Sequence, residues 1–474
     1  TVGAVNVQGT PWQGWAGPIS LAFGVEHRRE KTDASANELE RAAPGVCAPG
    51  STKSDGSCWF LAAGLPYSGS FAVTDVYLET NVPLAKDLPF ARALDLSAAG
   101  RGTYYDTFGS TGTWKLGLNW NPFDDLRIRM VRSLDIREPT LIDMYQGGTT
   151  TSNNITDKRV NTSNITFQST NTGNPDLQPE RATNSIIGFV YQPSWLPRFN
   201  FSVDYYWIDI ERGVNTLTAQ QTYDSCVMAG VQAACDAFTV SGYHPVTGAD
   251  GVVYQVPDQI TGMQLVPHNS NGRKAERMEI AASYRMSADS IISGWNGNLA
   301  FRGSATNYIK DIEDGGIPYV LPNDRIGNNF SGGLPHWKYQ VQAMYALDRF
   351  STTLTMRGVS SGVYSNLWIE CQTNCPTFPG GPAGSQAAVD AANYVTTTRN
   401  HIAGAIWWDL GLNYKLGFEK SDTEIFFNVR NLFDKDPAIA ARQQSGTGWD
   451  FSPSNSALYD VLGRFYRAGF RVQF

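Results

Sequence analysis

The chain has 474 residues, of which 12% are aromatic and 17% charged, and its formal net charge at pH 7 is −7. The lack of any run of about 18 apolar residues excludes a membrane-spanning helix, and low charge with many aromatics excludes disorder along the whole chain. The acidic balance argues against nucleic acid as a partner.

Alternation of apolar and polar residues with a period of two predicts β-strands from one end of the chain to the other. In residues 199–205, for example, Phe, Val and Tyr alternate with Asn, Ser and Asp. Fourteen strands are predicted, at approximately 19–30, 68–83, 91–107, 112–122, 126–135, 181–192, 198–212, 272–287, 297–312, 337–347, 350–365, 404–416, 423–433 and 463–474, with residues 2–9 as part of a fifteenth. Many exceed the ~5–6 residues of a typical strand, and tilted membrane strands need about 9–11.

The last predicted strand shows the pattern most clearly. One face carries Phe474, Val472, Phe470, Ala468 and Tyr466, and the other carries Arg467, Gly469, Arg471 and Gln473. A soluble sandwich would bury the apolar face against a second sheet, whereas a membrane barrel would turn it to lipid and the polar face to a wet lumen. In the barrel interpretation the lumen-facing residues include Asn413, Lys415, Asn428, Arg430, Arg467 and Arg471.

The predicted connections alternate in length. The short ones lie at 84–90, 123–125, 193–197, 288–296, 348–349 and 417–422, and the long ones lie at 31–67, 136–180, 213–271, 313–336, 366–403 and 434–462. Only the connection near 108–111 is short where a long one is due. Loops above ~12–15 residues are uncommon in compact soluble domains. Their occurrence at every second connection predicts a membrane barrel with short periplasmic turns and long extracellular loops.

The six cysteines form three local pairs, each within one predicted loop. These are Cys47 with Cys58, Cys226 with Cys235, and Cys371 with Cys375. Disulfides in an oxidising compartment are the preferred interpretation. A zinc site is the alternative, but no CxxC motif occurs and the five His are scattered along the chain.

Three segments carry a resemblance to a known family. The segment IFFNVRNLFDKDPA (425–438), followed by the aromatic strand GRFYRAGFRVQF, resembles the C-terminal signature of TonB-dependent outer-membrane receptors. LDIREPTLIDMY (134–145) and GNPDLQPERATN (173–184) are similar to two further segments of that family. The matching positions are Arg137, Pro139, Asn174, Pro175, Leu177, Pro179, Glu180, Asn431, Leu432, Phe433, Asp434, Pro437 and Phe474. For the turns at 174–180 and 431–437, a structural role is favoured over contact with a ligand.

The resemblance implies a barrel of 22 strands around an N-terminal plug. The chain would then be the C-terminal part of that barrel, without the plug and roughly the first seven strands. These would belong to a longer polypeptide or to a second one, because an open sheet edge is not stable in lipid. A self-closed barrel of about fourteen strands is the alternative, although residue 1 starts inside a strand-like pattern.

The resemblance also implies TonB-dependent active uptake of a scarce solute, siderophore-type or another large nutrient, across a Gram-negative outer membrane. The implied partners are the lipid bilayer and TonB with its inner-membrane energising complex, which acts through the plug. The alternative function is a passive porin-like or hydrophobic-solute channel. No catalytic, metal or cofactor site is expected, because no HExxH or P-loop motif occurs. The sequence does not identify the ligand or its contacts.

Overall fold

The computed structural model describes residues 1–37, 64–160, 162–248, 250–316, 320–330, 332–378, 385–418, 421–440 and 454–473. Its dominant element is a single antiparallel sheet in which fifteen strands follow one another in chain order, as predicted. They are β1 Val2–Gln13, β2 Pro18–Ala34, β3 Tyr67–Leu88, β4 Ala91–Tyr105, β5 Gly109–Phe123, β6 Leu126–Arg137, β7 Glu180–Tyr191, β8 Phe199–Glu211, β9 Gly272–Ser287, β10 Asn298–Asp314, β11 Trp337–Leu347, β12 Phe350–Val359, β13 Ala405–Phe418, β14 Ser421–Arg430 and β15 Phe465–Gln473. The two-residue strand Asn323–Asp324 pairs with β10 beside this path.

The period-two pattern of the sequence gives the sheet one apolar face and one polar face. The register aligns Phe470 with Ile425 on one face and Arg471 with Glu424 on the other. The apolar face is not covered by a second sheet, since Phe470 is 74% exposed and Leu78 is 53% exposed. An open apolar face of this extent suits lipid and not water. The membrane-barrel interpretation is therefore confirmed over the soluble sandwich.

The two ends of the sheet differ in their connections. At one end, here called the turn end, neighbouring strands are joined through 14–17, 89–90, 124–125, 192–198, 288–297 and 348–349. At the other end, the loop end, the connections are 35–66, 138–179, 212–271, 315–336, 360–404 and 431–464, and the short turn 106–108. Long connections at only one end are the arrangement of an outer-membrane barrel.

The small hydrophobic cores lie at the loop end and not between sheets. Residues 138–179 and 212–271 form what we call the first loop cluster. Its strands Thr149–Asp157, Thr162–Asn171, Ile260–Leu265 and Phe238–Val240 make a four-stranded sheet, and two further pairs are Val214–Asn215 with His268–Asn269 and Tyr243–Thr247 with Val253–Pro257. The helices α1 Leu141–Tyr145, α2 Ala219–Val227 and α3 Gln232–Cys235 complete it. Ile155, Phe167, Tyr223, Ile260 and Met263 form the centre of its core.

The second loop cluster comprises the described residues of 315–336, 360–404 and 431–464. It contains the strand pairs Gly362–Val363 with His401–Ile402 and Trp368–Glu370 with Val395–Thr397, and helix α4 Gln386–Asn393. Trp407 of β13 packs with Ile402, Ala440 and Tyr459 in the core of this cluster. None of the described helices is long and apolar enough to cross a membrane.

The first and last strands leave two edges of the sheet open. Within the described residues β1 pairs only with β2, and β15 pairs only with β14. The alternative of a self-closed barrel of fourteen strands is therefore wrong for this sheet, which has fifteen strands in its path and no pairing between β1 and β15. Unpaired backbone N–H and C=O groups at these edges are costly in lipid.

Candidate functional site

The candidate site is the polar face of the sheet together with its rim at the loop end. The register places the six predicted lumen residues on this face: Asn413, Lys415, Asn428, Arg430, Arg467 and Arg471. Lys415 is opposite Glu424, and Arg471 Nη1 lies 3.9 Å from Glu424 Oε1. The guanidinium of Arg467 lies over the ring of Phe426. Arg467 and Arg471 thus each contact a side chain of the neighbouring strand β14.

One ion pair on this face spans three strands. Arg129 on β6 donates from Nε to Asp204 Oδ1 on β8 at 2.7 Å and from Nη2 to Oδ2 at 2.5 Å. The strand between them, β7, places Gly188 directly opposite both residues. A Cβ at Gly188 would stand 2.0 Å from Asp204 Oδ1. The glycine therefore opens the space in which the carboxylate crosses β7 to reach Arg129.

A second crossing repeats this arrangement at the other side of the sheet. Tyr77 on β3 donates its hydroxyl hydrogen to Asn6 Oδ1 on β1 at 2.7 Å. Gly24 on β2 lies opposite both, and a Cβ there would stand 2.4 Å from Asn6 Oδ1. Lumen-facing glycines thus allow side chains two strands apart to bond over the strand between them.

The rim joins two of the sequence motifs. Arg137 at the end of β6 donates from Nε and Nη2 to the two carboxylate oxygens of Glu180 at the start of β7, both at 2.7 Å. The backbone N–H of Val214 also donates to Glu180 Oε1, at 2.7 Å. Pro139 is buried two residues after Arg137. Thr140 then caps helix α1: its hydroxyl accepts from the N–H of Asp143, and its own N–H donates to the Asp143 carboxylate. The carboxylate of Glu180 therefore fixes two strands and one loop at a single point.

The turn containing Asn174 is held by side chain to backbone bonds. Asn174 Oδ1 accepts from the N–H of Asp176 at 2.9 Å, and its Nδ2 donates to the carbonyl of Pro267 at 2.9 Å. Leu177 is buried with 2% of its surface exposed. Pro175 is exposed and Pro179 is buried. These contacts are structural and join the two long segments of the first loop cluster.

The segment after β14 is a second structural turn. Asn431 is fully buried, its N–H donates to Asp409 Oδ1 at 2.8 Å, and its side chain bonds both ways with the backbone of Lys435. Asp434 Oδ1 accepts from the N–H of Arg464 at 2.8 Å, which ties the start of the loop to its end. Leu432 and Pro437 are half-buried. Phe433 is 67% exposed, and Phe474 lies outside the described residues.

Two of the three predicted cysteine pairs are joined in the structure. Cys226 and Cys235 link α2 to α3 in the first loop cluster. Cys371 and Cys375 close a short segment of the second loop cluster. The predicted pair Cys47 and Cys58 lies outside the described residues. No group of three or more His, Cys, Asp or Glu among the described residues is placed to hold a metal ion.

Buried charges stiffen the first loop cluster. Tyr223 is fully buried and donates its hydroxyl hydrogen to Asp157 Oδ2 at 2.9 Å, and Arg159 Nη2 bonds the same oxygen at 2.6 Å. Lys158 Nζ lies 2.9 Å from Asp224 Oδ2. Burial raises the pKa of the Asp224 carboxyl above its ordinary value, and the nearby Lys158 opposes this rise. Burial in the cluster therefore opposes ionisation of this carboxyl, and Lys158 favours it.

A similar group lies at the rim near β2. Arg28 Nη2 donates to Glu138 Oε1 at 2.8 Å. Burial raises the pKa of Glu138, and the positive charge of Arg28 acts in the opposite direction. Both residues line a cavity of about 510 Å³ on the polar face, together with Asp75, Arg101 and Lys115.

In the second loop cluster, one arginine connects the sheet with a loop above it. Arg357 on β12 donates from Nε to Asp409 Oδ2 at 2.8 Å and from Nη2 to Asp460 Oδ2 at 2.5 Å. Arg430 Nε lies 3.3 Å from the same Asp460 oxygen. Arg357, Arg430 and Asp460 border a cavity of about 480 Å³ that also reaches Lys338. The wall of the cavity therefore holds guanidinium and ammonium groups, and the guanidinium groups of Arg357 and Arg430 are paired with the carboxylate of Asp460.

Sequence reasoning identified the polar face but missed its cross-strand contacts. The pairs Arg129–Asp204 and Arg137–Glu180 depend on register, which periodicity alone does not supply. A usable signal was present at the alternate strand positions that face the lumen, where Gly24 and Gly188 occur among larger polar residues. A glycine inside a strand often marks a close approach by another group.

A family model described as "TonB dependent receptor-like, beta-barrel" matches residues 2–432. Similar solved structures include the siderophore receptor PirA from Acinetobacter baumannii, at 15% identity and a TM-score of 0.58, with 100% of this chain and 54% of that chain covered. A variant of the ferric enterobactin receptor PfeA from Pseudomonas aeruginosa matches at 14% identity and a TM-score of 0.58, with the same coverage. The ferric-catecholate import receptor Fiu from Escherichia coli matches at 15% identity and a TM-score of 0.50, also with 100% and 54% covered.

No curated protein matches the chain at a significant level. Because these three solved structures are only 14–15% identical to this chain, their similarity to it shows the fold alone. The chain spans about half the length of the receptors that it matches.

Proposed function

Because the chain belongs to the TonB-dependent receptor-like β-barrel family, whose members are outer-membrane receptors and not enzymes, we propose that it is the C-terminal part of a transporter. This transporter takes up a siderophore-type ligand, or another large scarce nutrient, across a Gram-negative outer membrane. TonB and its inner-membrane complex supply the energy through a plug that lies outside this chain.

The observation that carries the proposal is the pairing of an apolar outer face with a polar inner face over fifteen consecutive strands. A barrel with a polar interior offers a solute a path through lipid without an exposed backbone. Charged groups on that face, such as Arg357 and Arg430, lie beside a cavity.

The open edges of β1 and β15 support the proposed incompleteness of the barrel. A family barrel of 22 strands needs about seven more than the fifteen seen here. We propose that these strands and the plug belong to the same polypeptide or to a second one. The match of this chain to about half of each solved receptor agrees with that arrangement.

The two loop clusters support an extracellular position for the loop end. Disulfides persist in oxidising compartments, and both described disulfides lie at this end. Folded loops with their own cores, such as the one around Tyr223, can present a stable surface to a ligand outside the cell.

The proposal is tested by growth and transport under iron limitation. Deletion of the gene should abolish uptake of one radiolabelled ferric siderophore from a panel, and deletion of tonB should abolish the same uptake. A passive channel is the competing function, and it predicts uptake that persists without TonB and rises linearly with solute concentration. That second result would overturn the proposal.

A further inference from the structure

The connection at 288–297, between β9 and β10, is the longest of the described connections at the turn end. It starts with a single 3-10 turn, Ala288–Ser290, and two neighbouring isoleucines follow. Ile291 is 54% exposed and Ile292 is 58% exposed. Turns that meet water are usually built from Gly, Pro, Asn, Asp and Ser. A pair of exposed isoleucines at the tip of a turn therefore points to apolar surroundings.

The turn is packed against a tyrosine of the sheet. The ring of Trp295 lies 5.4 Å from the ring of Tyr345 on β11, and its Nε1 donates to the Tyr345 hydroxyl at 3.2 Å. That hydroxyl donates in turn to the carbonyl of Asn296 at 2.8 Å. The backbone also approaches closely, since a Cβ at Gly297 would stand 2.9 Å from the Tyr345 ring. These contacts fix the position of the turn relative to β11.

Tyr345 belongs to the apolar face of the sheet. Gln342 of the same strand lines a groove on the polar face, and residues an odd number of positions apart lie on opposite faces of a strand. Leu299, which is opposite Tyr345, is 8% exposed, whereas Phe301, the next residue on the apolar face of β10, is 37% exposed. No residue of 288–297 lines the groove on the polar face. The turn therefore bends outward, over the lipid-facing side of β10 and β11.

The backbone of the turn is hydrogen-bonded internally. The N–H groups of Ile291 and Ile292 donate to the carbonyl of Ala288 at 3.0 and 3.2 Å. Asp289 is the only charged residue of the turn, and its carboxylate accepts from the N–H of Gly294 at 2.7 Å. Backbone groups that are already paired enter apolar surroundings at a much lower cost than free ones. The turn can therefore lie at the edge of the hydrocarbon region.

We propose that the 288–297 turn is an interfacial anchor. Ile291 and Ile292 insert among the lipid acyl chains just below the headgroups of the leaflet at the turn end, and Trp295 holds them in that position. The partner is lipid, because the tip continues the apolar face that already meets lipid along β9–β11. Trp and Tyr favour this boundary, since each has an apolar ring and a polar group. The anchor fixes the height of these strands in the bilayer. It requires a membrane barrel but neither a transported ligand nor TonB.

The test is fluorescence quenching in the full-length receptor, with its disulfides oxidised, in phosphatidylcholine vesicles. Single variants Ile291→Cys and Ile292→Cys are labelled with bimane. Phosphatidylcholine brominated near the top of its acyl chains should quench both labels several-fold more strongly than a label at Ser194→Cys. Ser194 is the matched control, because it is exposed in another connection of the turn end and lines the polar groove. Phe301→Cys, on the lipid-facing side of β10, is the positive control.

Three results would count against the anchor. Lipid quenching at both isoleucine positions no stronger than at Ser194 would overturn it. Protection of both labels from brominated lipid and from aqueous iodide alike would assign the tip to a protein contact, such as a second copy, and would also overturn it. Absence of lipid quenching at Phe301 would overturn the lipid-facing assignment of the sheet, which is a failure distinct from that of the turn.

A second pair of variants tests the positioning role of Trp295. In the labelled Ile292→Cys receptor, Trp295→Ala should reduce lipid quenching several-fold, because the turn is released from Tyr345. Trp295→Phe keeps a ring against Tyr345 and should retain most of the quenching. Heat-modifiable migration on a gel checks that each barrel is folded. Full quenching in folded Trp295→Ala would overturn the role given to Trp295.

Discussion

The crossing of β7 by the Arg129–Asp204 pair leads to the most specific prediction. The change is Gly188→Ala in the full-length receptor. The added methyl would stand 2.0 Å from Asp204 Oδ1 and 2.8 Å from the backbone carbonyl of Val203. The carboxylate must rotate away, and the backbone oxygen can move little.

The magnitude follows from what is lost. Two charge-assisted hydrogen bonds contribute about 1.5–3 kcal/mol each in favourable cases. The Arg129 side chain is 43% exposed, and solvent therefore replaces part of that energy. We expect a loss of about 2 kcal/mol from the ion pair and about 1 kcal/mol from the crowded backbone. The free energy of unfolding should thus fall by roughly 3 kcal/mol.

The assay is equilibrium unfolding by urea in detergent micelles, followed by tryptophan fluorescence. Gly100→Ala is the matched control, because a Cβ at Gly100 meets no atom within 4 Å. In the background of Asp204→Ala, the Gly188→Ala change should cost about 2 kcal/mol less, since the ion pair is already absent. Equal unfolding midpoints for Gly188→Ala and Gly100→Ala would refute the crossing. A coupling energy of zero between Gly188→Ala and Asp204→Ala in this double-mutant cycle would refute the role of the ion pair.

Three other predictions concern the rim and the loops. Cys226→Ser/Cys235→Ser should destabilise the first loop cluster by about 2–4 kcal/mol, seen as faster limited proteolysis of 212–271 with the barrel still resistant; unchanged cleavage would contradict it. Glu180→Gln should cost about 1–3 kcal/mol in barrel unfolding, because it removes the bidentate partner of Arg137 and leaves the Val214 bond weakened; a variant with the wild-type urea midpoint would show that the pair contributes little. Asp224 has a pKa that is raised on folding, so the cluster should gain stability as the pH falls through the folded pKa, and the gain is complete below the ordinary value of 3.8. The protection factors of the α2 amides, which are exchange rates corrected for the intrinsic rate at each pH, should therefore rise on acidification in the wild type but not in Asp224→Asn, and equal pH slopes would exclude this carboxyl as the source.

The strands of the sheet were readable from the sequence because lipid imposes a simple rule on every one of them. An outward residue must be apolar, and an inward residue borders water. The last strand was predicted at 463–474 and is Phe465–Gln473. β3 was predicted to end at residue 83, but it continues to Leu88 through an irregularity between Pro83 and Ala85. A proline there obscures the pattern without ending the strand.

The loop clusters were not readable in the same way. The strands Thr149–Asp157 and Thr162–Asn171 lie inside a segment predicted only as a polar loop. Their Thr-, Ser- and Asn-rich sequence becomes a sheet because β-bridges join it to Ile260–Leu265, about a hundred residues away. Such pairing depends on tertiary contacts and not on local propensity. The first loop cluster therefore needed the three-dimensional structure.

The motifs at 174–180 and 431–437 were predicted as structural turns rather than ligand contacts, which stays a prediction; Asn174 and Asn431 make side chain to backbone bonds within them. What the sequence alone does not contain is the convergence of two motifs on one carboxylate. Arg137 and Glu180 are 43 residues apart and meet only because β6 and β7 are neighbours.

The open edges of β1 and β15 have a consequence for how this wall assembles. Every pairing in the path joins strands that are neighbours in the sequence, so the wall can grow hairpin by hairpin with small loop-closure entropy at each step. Within the described residues, the outer edges of β1 and β15 have no partner strand. Until those edges are paired, they expose backbone N–H and C=O groups to any other strand nearby.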